Sequence, residues 1–167
     1  MKNDYCVRAQ KFIIEIAPYF EGCENRKEYI YAVGQYNKDY KRHVKFAYGI
    51  SRIVFITQDY VVKISYRSDA MFGDCESEYN MYLQAQKDGF DYLFAPITRM
   101  EYNGNYYYIM PRIPNVGREW EMDEFLSDEE RDYLFEHGVG DIDDNYSNVG
   151  WKNGIPIIID YACNEFV

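Results

Sequence analysis

Apolar positions along this chain change period several times, and each change marks an element. In residues 4–20, Phe12, Ile13, Ile16, Ala17 and Phe20 recur at helical spacing, which predicts an amphipathic helix that Pro18 cuts short. Residues 24–40 are charged and rich in tyrosine. There Tyr29, Tyr31, Ala32 and Val33 predict a second, more weakly patterned helix whose tyrosines pack half-buried. From Val44 the pattern shortens to strands over residues 44–48, 53–57 and 60–66, broken at Gly49 and at Gln58-Asp59, as in an antiparallel meander. Alternation in the third strand sends Val62 and Ile64 to one face and Val61, Lys63 and Ser65 to the other. A helix follows over residues 75–87 through Tyr79, Tyr82, Leu83 and Ala85, with Asp74 placed to cap it. Strands over residues 94–101 and 105–110 are joined by Tyr102-Asn103-Gly104, a hairpin signal, and Pro111 and Pro114 open an extended connector. Residues 121–137 predict one helix or two short ones around Ser127, which with Glu130 fits a capping box. The final pattern is an acidic loop, a hairpin turning at Asn153-Gly154, and Ile157-Ile158-Ile159 running into Asp160.

Composition narrows the classes. With 167 residues, the chain is one domain or two small lobes sharing a cleft. Hydrophobic residues make up 47%, with 19 Tyr and 10 Phe, so it folds around an aromatic core. A net charge of -10 argues against a phosphate-coating nucleic-acid binder and suits basic partners or simple solubility. Cys6, Cys23, Cys75 and Cys163 are widely spaced, which disfavours zinc and reads as reduced thiols. No apolar run is long enough to span a membrane, and Met-Lys-Asn-Asp is not a signal peptide, so a soluble cytoplasmic protein is expected.

Candidate chemistry gathers at Asp160. An apolar strand normally stays buried, so a carboxylate at its end sits where a core meets solvent and can be aimed at a cation or ligand. Asn148 and Asp160 flank the last hairpin, whose strands would bring two hard oxygens together for Mg2+. The plainer alternative is an acidic turn followed by a core strand. Lys63, among branched apolar residues, is likewise either an edge residue turned to solvent or a site residue.

Taken in order, these segments resemble the protein-kinase fold, specifically the small kinase-like proteins of bacteriophages and bacteria, over roughly residues 44–162. Gly49-Ile50-Ser51-Arg52-Ile53-Val54-Phe55 resembles the glycine-rich loop, and Val61-Val62-Lys63-Ile64 the strand bearing the phosphate-pairing lysine. Glu78 stands where the family's helix supplies the ion-pair glutamate, and the segment from Tyr107 through Met110 to Ile113 resembles the strand and hinge that hold adenine. Asp143 with Asn148 resembles the catalytic loop, and Asp160-Tyr161-Ala162 the metal-binding Asp-Phe-Gly. Asp141-Ile142-Asp143 equally resembles the family's Asp-Leu-His, so either Asp141 or Asp143 would be the base.

The resemblance implies an α+β, minimal kinase-like fold: a helical extension over residues 1–43, an N-lobe with an antiparallel sheet and one helix over 44–113, and a truncated helical C-lobe over 114–167. It implies ATP and Mg2+ as cofactors, with Lys63 on the phosphates balanced by Glu78, Gly49, Ser51 and Met110 around the nucleotide, and Asn148 and Asp160 on the metal. The loop has one glycine where the family usually has three, Ala162 replaces the last glycine of Asp-Phe-Gly, and the sequence ends five residues later. These departures favour a pseudokinase or regulatory role over a minimal phosphotransferase. The alternative is an acidic, Tyr-rich, phage-type interaction protein that inhibits a host or defence factor from the host cytoplasm. Its basic partner would meet Glu119, Glu121, Asp123, Glu124, Asp128, Glu129 and Glu130.

Overall fold

The computed structural model describes residues 4–69, 74–114, 122–139 and 148–160. They form two compact units, one running to Cys75 and including Ile97–Arg112, the other comprising Glu76–Pro96 and the chain from Ile113.

In the first unit α1 spans Asp4–Ile16 and buries Ala9, Phe12, Ile13 and Ile16. Its α-helical bonding stops before Pro18, which lacks an N–H and continues only as a 3₁₀ turn, Ala17–Phe20. The second helix, α2, spans Arg26–Tyr40. Its start is set by a capping box that went unnoticed in the tyrosine pattern: the Asn25 side chain accepts from the Lys27 and Glu28 amides, and Glu28 reaches back to the Asn25 amide.

Five strands, β1 (Phe46–Tyr48), β2 (Arg52–Ile56), β3 (Tyr60–Ser65), β4 (Thr98–Tyr102) and β5 (Asn105–Pro111), pair antiparallel in the order β1-β2-β3-β5-β4. Alternation divides the sheet into two faces. Ile53, Phe55, Tyr60, Val62, Ile64, Tyr107 and Ile109 turn to one core shared with α1 and α2. Aromatic edge contacts lock it, Phe12 meeting Phe55 at 5.3 Å and Tyr36 at 6.0 Å between ring centres. β3 is the middle strand, so Lys63 lies in the interior of the sheet and the edge alternative does not apply. The strand expected over residues 94–101 begins only at Thr98. Pro96 has no amide for a ladder, and Phe94 instead bridges Ile158.

Both units share α3, Asp74–Asp88. In the second unit a 3₁₀ turn, Asp91–Leu93, leads to Phe94 and Ala95, and the Ala95 amide donates to the Ile158 carbonyl at 2.8 Å. Residues 121–137 become two helices, α4 (Met122–Phe125) and α5 (Asp128–Glu136), separated by the Ser127–Glu130 capping box. The last hairpin is β6 (Val149–Lys152) and β7 (Ile155–Ile158). Its turn, like that at Asn103-Gly104, places Asn and then Gly at positive φ, 54° and 76° here, the mirror-image turn that matches strand twist.

The described residues are α+β, with strands, helix, hairpin, connector, helices and hairpin in that order. Cys6, Cys23 and Cys75 carry free thiols. Among the described residues no helix is long and apolar enough to cross a membrane.

Candidate functional site

The sheet face opposite the aromatic core carries the sequence-predicted lysine. Lys63 is 5% exposed. Directly opposed residues of antiparallel strands share a face, so Val54 of β2 and Tyr108 of β5 flank it. Arg99 of β4 lies beyond Tyr108, and Val61 pairs with Met110 one step along the same face. Tyr108 and Met110 are buried. Burying an ammonium group costs on the order of several kcal/mol unless it is partnered. A lysine is kept in such a place when its charge is used, or when its stem fills a gap and its head is held.

The β1–β2 loop lies in the same unit. The Gly49 amide donates to the Arg52 carbonyl at 2.9 Å, the Tyr66 amide to the Ser51 carbonyl at 2.9 Å, and the Tyr66 hydroxyl to the Gly49 carbonyl at 3.3 Å. Ser51 Oγ donates to the Asp74 carboxylate. Asp74, expected as a helix cap, instead ties the first turn of α3 to this loop. Ile50, at the loop tip, is 87% exposed. A Cβ on Gly49 would meet nothing nearer than the Arg52 carbonyl oxygen at 4.0 Å, so neither backbone conformation nor packing requires glycine there.

In the second unit Glu78, in the first half of α3, is 0% exposed. It is buried and must be stabilised where it stands. The hairpin brings Asn148 and Asp160 together at its open end, because the Asn148 carbonyl accepts from the Ile159 amide at 2.8 Å and the Asp160 amide at 3.3 Å. Both residues are half-buried. Lys63, Glu78, Asn148 and Asp160 each take part in at least one hydrogen bond or charge interaction.

The hairpin's seat is fixed sterically. A Cβ on Gly150 would lie 2.6 Å from Ile113 Cγ2 and 2.7 Å from the Ile113 carbonyl oxygen, and the Trp151 amide donates to the Pro114 carbonyl at 2.9 Å. The connector and β6 thus touch backbone to backbone, which only glycine permits.

Asp141, Asp143, Tyr161 and Ala162, like Glu119 and Glu121 of the acidic run, lie outside the described residues. Among the described residues no cluster of three or more His, Cys, Asp or Glu side chains is gathered as for a metal. Sequence reasoning did not single out Val54 and Tyr108, whose place beside Lys63 depends on strand pairing. It also missed Asp74 as the partner of Ser51, and Gly150. For Tyr108 the sequence signal was its place in the segment, from Tyr107 to Ile113, that resembles the adenine-holding strand and hinge. For Gly150 there was none beyond a glycine in a strand.

No family model matches this sequence, and no curated protein matches it. Among solved structures, the chain is similar to that of the streptomycin-ATP-APH(2")-IIa ternary complex, with 14% sequence identity, a TM-score of 0.42, and coverage of 78% of this chain and 70% of that one.

Proposed function

We propose that the chain is a kinase-like nucleotide-binding domain that takes ATP with Mg2+. The observation that carries this is Lys63: a lysine in the middle strand of a five-stranded antiparallel sheet, almost fully buried, on the face opposite the aromatic core and beside Val54, Val61, Tyr108 and Met110. An apolar wall suits a purine, and a single held cation suits the phosphates attached to it. In this reading Lys63 pairs with the phosphates. Met110 and Tyr108 wall the base, and Ser51 and the open space at Gly49 give clearance to the phosphates.

Asn148 and Asp160 suit a hard divalent cation. They are two oxygen-bearing side chains fixed at the mouth of one hairpin, and Mg2+ commonly takes only one or two protein ligands, the rest coming from phosphate and water. When bound, the metal would neutralise phosphate charge. The chain's own part is to orient the phosphates and, if it transfers them, to hold a base at Asp141 or Asp143. The single loop glycine favours binding or regulation over turnover, the pseudokinase reading, because fewer backbone amides can close on the phosphates.

The test is thermal unfolding and calorimetry with ATP and Mg2+ on the wild type, Lys63→Met, which keeps the apolar stem, and Asp160→Asn. At a hundredfold excess over Kd the wild type should gain about 5 to 10 °C, with both variants losing most of that gain. A wild type that gives neither heat nor shift at millimolar nucleotide overturns the reading. In that case salt-sensitive capture of a basic protein by the acidic surface becomes the alternative to pursue.

A further inference from the structure

One face of α2 and the turn that precedes the helix form the walls of an open pocket of about 390 Å³, within the size range of small-ligand sites. From α2 come Lys27 and Tyr31, four residues apart and so stacked on one helix face, with Ala32, 5% exposed, behind them. Tyr19, Glu21 and Cys23 stand on the other wall, which is held by its own contacts. The Tyr19 hydroxyl donates to the Asp39 carboxylate at 2.9 Å, its ring meets Tyr36 edge-on at 5.5 Å, and the Cys23 thiol donates to the Tyr19 carbonyl at 3.6 Å. Gly22 turns the chain between them at a φ of 76°. The groups around the opening are by contrast uncommitted. Among the described residues the Lys27 ammonium and the Glu21 carboxylate form no ion pair, with each other or with any other side chain. Tyr31 is 70% exposed and makes no ring contact with Tyr19 or with another described aromatic.

We propose that this pocket binds a small aromatic zwitterion: a ring carrying neighbouring ammonium and carboxylate groups, as in a free aromatic amino acid. Each part of such a ligand meets a matching group. The ring enters between Tyr19 on one wall and Tyr31 on the other, over Ala32, where paired aromatics gain more than the area they bury. Lys27 faces the carboxylate and Glu21 the ammonium. A simple anion would gain Lys27 but meet the Glu21 carboxylate, and a simple cation would gain Glu21 but meet Lys27, so opposite charges on one molecule suit the opening better than either alone. The helices α1 and α2 cover the sheet face opposite Lys63, so the pocket is separate from the proposed nucleotide site and does not rest on it.

Calorimetry on the whole chain with L-phenylalanine and L-tryptophan tests this. A Kd on the order of 0.1 to 1 mM is expected for so small a ligand in an open site. Phenethylamine, which lacks the carboxylate, and hydrocinnamate, which lacks the ammonium, should each bind about fivefold more weakly than L-phenylalanine or worse. Tyr31→Ala, Lys27→Met and Glu21→Gln change exposed side chains and leave the core intact. Each should weaken L-phenylalanine binding about five- to tenfold with Tm within about 2 °C of wild type, whereas Lys63→Met should leave that affinity unchanged. No heat from either amino acid at about 10 mM overturns the proposal. Equal affinity for L-phenylalanine and either single-charge analogue also overturns it, because the pocket would then hold rings without using Lys27 and Glu21. Binding that is lost in Lys63→Met but kept in Tyr31→Ala overturns it as well, since the ligand would then sit in the nucleotide site.

Discussion

Asp88 is the last residue of α3, where the helix's negative pole disfavours a carboxylate, yet its pKa lies below the ordinary 3.8. Hydrogen bonds from Gln84 and then Tyr133 are the main causes, and His137, 4.0 Å away, adds a smaller pull. Glu28 is lowered from 4.5 by the Glu24 and Asn25 amides that it caps. In both cases the folded value is the lower one. Their contribution to stability is therefore present above the unfolded value and lost as pH falls through the folded value. Melting temperature should be flat from neutral to about pH 5 and fall below about pH 4, with Glu28→Gln showing a shallower acid loss than wild type; an equal loss would show that Glu28 does not contribute. At this scale the sequence was partly legible. Lys63 stood out as a charge among branched apolar residues and Glu78 by its place in the resemblance, and both are buried.

At the scale of elements, the local signals served well. Both Asn-Gly turns, the Ser127 capping box and the stop before Pro18 are properties of a few adjacent residues, and all appear where the pattern put them. Boundaries set by partners were less legible. β4 starts at Thr98 because Phe94 pairs with a strand more than sixty residues away, a contact that no local window contains. The two glycines make the sharpest contrast. Gly150→Ala should destabilise the second unit by about 1 to 3 kcal/mol, since its Cβ would strike the Ile113 backbone, as read from urea unfolding. Gly49→Ala should change stability by less than about 0.5 kcal/mol, because the added atom meets open space. If Gly49 clears room for phosphates, the same variant should still weaken ATP binding in calorimetry. Unchanged affinity would remove Gly49 from the proposed site.

For the whole molecule, fold class followed from the order of elements, whereas strand order within the sheet had to be seen, since β5 inserts between β3 and β4 across a long sequence gap. The net charge of -10 carries a consequence for the proposed ligand. A polyanionic chain repels an anionic nucleotide at long range, and the Debye length falls from about 30 Å at 0.01 M to about 8 Å at 0.15 M ionic strength. Association with ATP and Mg2+ should therefore be as fast or faster at the higher salt, measured by stopped flow. A steep slowing would point instead to steering by a local basic field.

The middle strand, β3, gives alternate residues to different tasks: Tyr60, Val62 and Ile64 fill the aromatic core, while Val61 and Lys63 face the other way beside Met110 and Tyr108. Because the period is two, a slip of one residue would exchange the sets wholesale and drive an ammonium group into the packed rings. A mispaired chain cannot bury that charge, so it cannot settle. The lysine thus acts as a proofreading device for assembly: the same residue that marks the candidate site also ensures that the strand carrying it has only one acceptable alignment.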